Sequence, residues 1–281
     1  MVVHAKIVVA YLGPEGTFCE QAARTFFSTQ TTNLLPCQSI SSVFKAVEED
    51  MRIYGVVPLE NSLQGSERRT LDLLLHSNLK VRGEIDLRIA HNLIVRPKTK
   101  ADDVRIIISH PQALAQCHLF LEKEFPRAEL KEANSTAKAV KMLEELENSG
   151  AIGTEVAAER YGMTILFKRI EDTSNNFTRF FVLGHDDTAP TGRDKTSLVF
   201  SIKDEMGALH RILGAFASRN INLTKIESRP EWGEPWKYIF YLDFEGHRAE
   251  AKSIDALKEI AELCIFVKTL GSYPRAANNS E

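Results

Sequence analysis

The 281-residue sequence contains only four cysteines, and they are scattered along the chain. No Cys-x-x-Cys pair occurs, and no histidine accompanies them at the spacing that zinc sites use. We therefore expect neither a metal site nor a disulfide framework, and we expect a reducing, cytoplasmic location. The four positions are Cys19, Cys37, Cys117 and Cys264.

The sequence also lacks an excess of charge of either sign and any long apolar run. Lys and Arg together number 35 and Asp and Glu 38, which gives a net charge of −3. This balance does not favour nucleic acid or a polybasic membrane contact, so we expect neither partner. The opening run 1–11 is too short for a signal peptide or a membrane span, and we interpret it as the first buried strand.

Short apolar strands alternate with amphipathic helices up to residue 184, which is typical of an α/β fold. The length favours one large two-lobed unit and a smaller domain over a single core. We predict a first lobe from roughly 1–80 with 171–184, and a second lobe from 81–170. Polar loops follow several of the strands, where open α/β sheets bind ligands, so a cleft between the lobes is the expected site.

Residues 185–195, with Pro190 and Gly192, form the best linker in the sequence. The residues after it, 196–275, follow the order βαββαβ of a ferredoxin-like domain. Its first helix carries Leu209, Ile212 and Phe216 on one face. The size and position of this domain suggest a separate regulatory module, so we expect a chain ending at Asp187 to fold and act without it.

Two polar segments follow predicted strands in the first lobe. The glycine-rich turn 13–17 lies between a strand and a helix, where backbone N–H groups point at an anion, although a plain connecting turn is an alternative. It matches neither a P-loop nor a dinucleotide fingerprint. After the next buried strand, Asn61 and Ser62 can bind a carboxylate or hydroxyl and Glu60 can accept a hydrogen bond. A simple polar loop is the alternative there.

Thr178 and Arg179 lie where a polar loop enters a buried strand. Together they could grip a small anion and donate a proton or hydrogen bond to it, or they could be an ordinary strand residue and a surface arginine. Ser109 starts a helix as a cap or ligand contact, and Gln116 of the same helix faces either solvent or the cleft. We interpret His91 as a structural histidine.

Six segments, in this order and spacing, resemble the prephenate dehydratase family with a C-terminal ACT domain. They are 13–18 (GPEGTF), 58–62 (PLENS), 109–112 (SHPQ), 176–180 (NFTRF), 207–209 (GAL) and 227–230 (ESRP). The resemblance implies a two-lobed catalytic domain like a periplasmic binding protein, with the active site between the lobes. It also implies an allosteric site for phenylalanine at the ACT domain, and a homodimer or homotetramer.

The resemblance also implies roles for individual residues. The proposed catalytic residues are Thr178, Glu60, Asn61, Ser109 and Gln116. The proposed substrate-binding residues are Thr17, Ser62, Arg179 and Phe180. The effector-binding residues are expected to be Gly207, Ala208, Leu209, His210, Glu227 and Ser228, because N–H groups that open a helix can receive the carboxylate of an amino acid.

The implied reaction is loss of carbon dioxide and water from prephenate, which gives phenylpyruvate. Aromatisation drives it, so no cofactor is expected. Thr178 is the favoured proton donor, because the leaving hydroxide becomes water, whose pKa of about 15.7 a threonine hydroxyl matches. Glu60 is the alternative acid. Arg179 and the N–H groups near Gly16 and Thr17 would hold carboxylates. The alternatives are an arogenate dehydratase and a non-catalytic amino-acid sensor.

Overall fold

The computed structural model of the chain describes residues 7–27, 32–230 and 237–276, which fold into three sheets with helices packed on them. Residues 1–6, which the sequence analysis placed in the first strand, lie outside the described residues. Throughout the described ranges, no helix combines the length and the apolar character needed to cross a membrane.

The strands are numbered in chain order: β1 (Ile7–Leu12), β2 (Thr32–Cys37), β3 (Ile53–Asn61), β4 (Gly65–Ser66), β5 (Lys80–Arg88), β6 (Asn92–Val95), β7 (Ile106–Ser109), β8 (Glu129–Glu132), β9 (Ser149–Gly153), β10 (Thr164–Phe167), β11 (Phe177–Gly184), β12 (Asp194–Ile202), β13 (Leu223–Pro230), β14 (Tyr238–Glu245) and β15 (Cys264–Pro274). The α-helices are α1 (Phe18–Phe26), α2 (Ile40–Glu49), α3 (Arg68–His76), α4 (Pro111–Gln116), α5 (His118–Glu124), α6 (Thr136–Met142), α7 (Glu155–Arg160), α8 (Ala208–Ala217) and α9 (Ala251–Leu263). One 3₁₀ turn spans Ala101–Asp103.

The first lobe is a sheet of order β2-β1-β3-β11-β5, with the short β4 beside β3. The first three strands are parallel, and β11 runs antiparallel to both of its neighbours. The prediction that residues 81–170 belong to the second lobe is wrong at its start, because β5 pairs with β11 along its full length. The chain therefore enters the second lobe only after Arg88, and β11 brings it back.

The second lobe is a five-stranded sheet of order β10-β6-β9-β7-β8. Its edge strand β8 was not predicted, because its residues are exposed and largely charged and show no apolar alternation. The helix expected after Ser109 ends at Gln116 as α4, and after Cys117 a second helix, α5, follows. The predicted two-lobed α/β architecture is otherwise confirmed.

The C-terminal domain is an antiparallel sheet of order β13-β14-β12-β15. Helices α8 and α9 pack on one face of it, around Phe200, Phe216 and Phe244. This is the predicted ferredoxin-like βαββαβ arrangement. Its first strand begins at Asp194, within the predicted linker 185–195 and two residues before the predicted domain start.

The other face of the C-terminal sheet shares a hydrophobic core with the first lobe. Tyr241 and Tyr273 of this domain lie in one cluster with Leu71 and Phe181 of the first lobe. At Gly271 the two backbones approach so closely that an added Cβ atom would lie 2.1 Å from the carbonyl oxygen of Val81. The domain is thus built onto the first lobe, which argues against the expectation that the catalytic part folds without it.

Candidate active site

A cavity of about 600 Å³ lies between the two lobes. The first lobe and the segment after β5 contribute Leu12, Gly13, Pro14, Thr17, Phe18, Cys19, Gln38, Pro58, Asn61, Ile89, His91, Thr178 and Phe180, and the second lobe contributes His110, Gln112, Ala113, Gln116, Asn134, Ser135, Thr136 and Lys138. The cavity therefore lies where the sequence predicted a cleft, at the ends of strands from both lobes.

Five of the nine predicted catalytic and substrate-binding residues line this cavity. They are Thr178, Asn61, Gln116, Thr17 and Phe180. Their convergence follows from strand pairing, since Thr178 of β11 lies opposite Asn61 of β3. Gln116 reaches the same cavity from the second lobe at the end of α4.

Asn61 fixes the hydrogen-bonding role of Thr178. The Oδ1 atom of Asn61 accepts from the backbone N–H groups of Leu63 and Gln64, at 3.0 and 3.2 Å. Its Nδ2 atom therefore faces Thr178 and donates to Oγ1 at 2.9 Å. Because Thr178 Oγ1 acts as the acceptor in this bond, the proton of its hydroxyl is left to donate into the cavity.

The same network continues through two residues that the sequence analysis did not assign to the site. Asn61 Nδ2 also donates to Asn176 Oδ1 at 2.7 Å, and Asn176 Nδ2 donates to Gln116 Oε1 at 3.2 Å. The Nε2 atom of His91 lies 2.8 Å from the same Gln116 oxygen. Asn176 belongs to the NFTRF segment, so the sequence motif already indicated this residue. His91 lies in none of the motifs and was interpreted as a structural histidine.

The prediction that Glu60 and Arg179 lie in the cleft is wrong. Side chains alternate along a strand, so the neighbours of Asn61 and Thr178 point to the opposite face of the sheet. The Glu60 carboxylate pairs with Lys225 of the C-terminal domain at 2.9 Å. The Arg179 guanidinium donates to Glu84 at 2.7 Å and to Asp243 at 2.5 Å.

Two other predicted site residues, both serines, make their hydrogen bonds within the protein. Ser109 is fully buried, and its hydroxyl donates to the carbonyl of Ile152 at 2.8 Å. Ser62 donates to the carbonyl of Asn175 and accepts from the backbone N–H of Phe177. Neither serine lines the cavity described above.

The expected anion site at the glycine-rich turn is partly filled by the chain itself. The Gly16 N–H donates to the buried carboxylate of Glu20 at 2.6 Å. The hydroxyl of Thr17 caps α1 by accepting from the Glu20 backbone N–H, and it donates to the carbonyl of Leu12. Thr17 therefore lines the cavity, but its hydroxyl is already engaged.

The electrostatics of the cavity suit an anion. Among the described residues that line it, none is Asp or Glu, whereas Lys138, His91 and His110 are present. The first turns of α1, α4 and α6 also line it, and unpaired N–H groups give a helix start partial positive charge. Burial raises the pKa of the Cys19 thiol to about 12, so this residue stays neutral.

A second cavity, of about 630 Å³, lies at the start of α8 in the C-terminal domain. Four of the predicted effector residues line it, namely Gly207, Ala208, Leu209 and His210. The prediction that Glu227 and Ser228 share this cavity within one chain is wrong. Alternation along β13 turns Glu227 toward the first lobe, where the Ser66 hydroxyl donates to it at 2.5 Å. Glu227 also pairs with Lys225 of its own strand at 3.1 Å, and Ser228 is exposed on the other face.

Two families match the chain in sequence. Residues 9–188 match the family described as Prephenate dehydratase, and residues 196–262 match the ACT domain. The bifunctional chorismate mutase/prephenate dehydratase of Aquifex aeolicus is 46% identical over 271 residues, which are 96% of this chain and 74% of that protein. The prephenate dehydratase of Methanocaldococcus jannaschii is 43% identical over 274 residues, 95% of this chain and 97% of that one.

The fold also matches a solved structure. The prephenate dehydratase of Arthrobacter aurescens, determined in complex with L-Phe, superposes with a TM-score of 0.88 and 32% sequence identity. The match covers 96% of this chain and 90% of that chain, so it includes both lobes and the C-terminal domain.

Proposed function

The chain belongs to the prephenate dehydratase family, with a C-terminal ACT domain, and we propose that its interlobe cavity converts prephenate to phenylpyruvate. The observation that carries this proposal is the Thr178 hydroxyl, which accepts a hydrogen bond from Asn61 and so keeps its proton to donate to the cavity. The activity is that of a carbon–oxygen lyase of the hydro-lyase type. It requires no cofactor in the scheme that follows.

The reaction needs one proton donor and an environment for two negative charges. The bond between the ring and its carboxylate breaks, carbon dioxide leaves, and the released electron pair completes the aromatic ring. The bond from the ring to the hydroxyl oxygen breaks with its electrons on oxygen, and Thr178 donates the proton that converts this hydroxide to water. The pKa of water, about 15.7, makes a threonine hydroxyl a matched donor, and the alkoxide then regains a proton from solvent.

The substrate carboxylates need partners other than Arg179. Lys138 supplies a positive charge at the cavity. The Nδ1 atom of His110 accepts from the backbone N–H of Gln112 at 3.3 Å, so a neutral His110 carries its proton on Nε2 and offers a donor. The first turn of α1 adds backbone N–H groups. We assign the binding of the dianion to these groups, with Phe180 packing against the ring.

Glu60 is no longer the alternative acid. Its carboxylate lies outside the cavity and pairs with Lys225, so it does not reach a substrate held next to Thr178. We retain Asn61 and Gln116 as the groups that orient Thr178 and the substrate. Ser62 stabilises the loop before β11 by its hydrogen bonds to Asn175 and Phe177, and Ser109 stabilises the end of β7 by its hydrogen bond to Ile152.

The alternatives to prephenate are arogenate as the substrate and a non-catalytic sensor of amino acids. Arogenate carries an ammonium group, for which a carboxylate is the strongest partner. The described residues that line the cavity include no carboxylate, which favours prephenate. Purified protein incubated separately with prephenate and with arogenate tests all three. Formation of phenylpyruvate from prephenate supports the proposal, faster formation of phenylalanine from arogenate reverses the preference, and no product from either favours the sensor.

We propose the cavity at Gly207 as the site where phenylalanine inhibits the enzyme. Gly207 precedes α8 in a left-handed conformation, with φ of 74°, which glycine adopts without strain, and it lines the cavity together with the first residues of α8. The apolar side chains of Met206, Ile226 and Ile265 are exposed on this domain. A second copy of the chain that covered them would close the cavity, which supports a homodimer or a homotetramer.

The cytoplasm stays our predicted location. All four cysteines lie within the described residues and none of them forms a disulfide, which is consistent with a reducing compartment.

A further inference from the structure

His91 lies at the opposite end of the hydrogen-bond network from Thr178, and one of its ring nitrogens has no partner. The residue is only 3% exposed and lines the interlobe cavity. Its Nδ1 atom is buried and makes no hydrogen bond to any part of the chain that the structure describes. Buried polar atoms are almost always paired, so an unpaired one in the wall of a cavity points to a ligand.

The network determines which nitrogen of His91 carries the proton. Two backbone N–H groups fix the amide of Asn61, which in turn presents its Nδ2 atom to Asn176. Asn176 therefore donates to Gln116 Oε1, and this oxygen is only an acceptor. The Nε2 atom of His91, at 2.8 Å from the same oxygen, must donate to it. Neutral His91 thus has an unprotonated Nδ1 with no partner among the described residues, in a side chain that lines the cavity.

The surroundings of His91 keep the ring neutral. Burial lowers its pKa, against smaller opposing effects of the Gln116 hydrogen bond and the Glu171 carboxylate. Glu171 accepts from the His91 backbone N–H at 2.9 Å, and Arg88 approaches Glu171 at 3.8 Å. The rings of His91 and Phe18 pack in a T-shaped arrangement, with 5.7 Å between their centroids. Among the described residues that line the cavity, the other titratable side chains are Cys19 of the first lobe and His110 and Lys138 of the second lobe.

The chemistry of the substrate selects one partner for this nitrogen. Prephenate has two carboxylates and one ketone, which only accept hydrogen bonds, and one hydroxyl, which is its only donor. We propose that the Nδ1 atom of His91 accepts a hydrogen bond from the prephenate hydroxyl, the group that leaves the ring. This inference rests on the proposed function, and it makes His91 a catalytic residue because it touches the reacting group.

The contact would orient the leaving group. A hydroxyl that donates to His91 directs its lone pairs elsewhere, and Thr178 offers its proton to the same cavity. The accepted hydrogen bond also raises electron density on the oxygen, which makes it a better acceptor of that proton. The carbon–oxygen bond breaks, the proton from Thr178 joins the oxygen, and the hydroxyl's own hydrogen stays on the departing water.

Two substitutions distinguish the role of the Nδ1 atom of His91 from that of its Nε2 atom. In His91→Gln the amide reaches the position of Nε2 and keeps a donor for Gln116, but no acceptor remains at the position of Nδ1. In His91→Asn the shorter amide places an acceptor near Nδ1 and gives up the contact with Gln116. We expect His91→Gln to lower kcat/KM for prephenate by about 10- to 100-fold, the usual effect of one buried hydrogen bond, and His91→Asn to lose less.

Phenylpyruvate is the matched probe, because it lacks the hydroxyl. We expect its inhibition constant to be the same within twofold for the wild-type and His91→Gln enzymes. We also expect the wild-type kcat/KM to fall at acid pH as Nδ1 is protonated, and His91→Gln to lack that part of the fall. Equal weakening of phenylpyruvate and prephenate would overturn the inference, since His91 would then only shape the cavity.

Measurements on the wild-type enzyme distinguish a failure of this inference from a failure of the proposed function. Its turnover of prephenate tests the proposed function by itself. If the wild-type enzyme turns over prephenate and the kcat/KM of His91→Gln lies within threefold of that value, the inference is wrong while the proposed function stands.

Discussion

Thr178 and Arg179 are consecutive residues of β11, yet their side chains lie on opposite faces of the sheet. Thr178 lines the interlobe cavity and accepts a hydrogen bond from Asn61. The Arg179 side chain, 13% exposed, binds Glu84 and Asp243, and Asp243 belongs to the C-terminal domain. One strand therefore carries both the proposed proton donor and an ion pair that ties the two domains together.

The role of the Thr178 hydroxyl can be tested with one variant that removes it and another that removes only the neighbouring methyl group. We expect Thr178→Ala to lower kcat by about two to four orders of magnitude, the usual contribution of a positioned proton donor, with little change in KM. Thr178→Ser retains the hydroxyl and is expected to be milder. Steady-state kinetics with prephenate measures both. A Thr178→Ala enzyme within threefold of the wild-type kcat would remove Thr178 from the mechanism.

Arg179 is expected to affect stability rather than substrate binding. Burial opposes its charge, but Tyr273, Asp243 and Glu84 hold its pKa above the ordinary value. Arg179→Met leaves the two buried carboxylates without this partner, so we expect a loss of about 3–5 kcal/mol in the free energy of unfolding. Urea unfolding measures this loss. A large rise in KM with unchanged stability would instead place the guanidinium on the substrate.

Lys225 connects the regulatory domain to the strand end that carries Asn61. Its Nζ atom lies 2.9 Å from Glu60 and 3.1 Å from Glu227. We expect Lys225→Met to raise the phenylalanine concentration for half-inhibition by roughly 5- to 150-fold, the range of typical allosteric coupling, while kcat changes little. Inhibition curves at a fixed prephenate concentration measure it.

Lys268→Met is the matched control for Lys225→Met. Lys268 also bridges the domains, but its Nζ atom donates to backbone carbonyls at the end of α3 and not to Glu60. An equal loss of inhibition in both variants would mean that the interface as a whole, rather than the Lys225 contact, transmits the effect.

Truncation after Asp187 is now expected to fail, contrary to the prediction from sequence. The cut would expose the first-lobe side of a shared core, including Leu71 and Phe181, and would leave Arg179 without Asp243. Because apolar burial of this kind is a main source of stability, we expect the truncated chain to aggregate or to lack a cooperative thermal transition. A soluble truncated chain with full activity would show that the interface is dispensable for folding.

Much of this fold could be predicted from the sequence, because most of its strands and helices have a clear local pattern of apolar and polar residues. Apolar strands and amphipathic helices indicated most elements near their true bounds. Strand β8 was missed because charged residues on an exposed edge leave no apolar pattern. The position of β5 in the first lobe depends on its pairing with β11, a partner about a hundred residues away, which local patterns do not encode.

The candidate site was predicted less completely, and for a different reason. Motif order identified Thr178, Asn61 and Gln116, whose side chains do line the cavity. Arg179 and Glu60 were assigned with them as sequence neighbours, although the alternation of a strand already places adjacent side chains on opposite faces. His91 was missed because the significance of one histidine depends on which of its nitrogens are paired in three dimensions.

The alternation along β11 also limits how an effector signal can pass through this strand. A shift of one residue in register would bring Arg179 into the cavity and turn Thr178 toward the ACT domain, exchanging their roles. A shift of β11 by one residue would therefore remove Thr178 from the cavity, so it cannot be how the signal is transmitted. A displacement of β11 that keeps its register would instead move Thr178 and Arg179 together, each on its own face of the sheet.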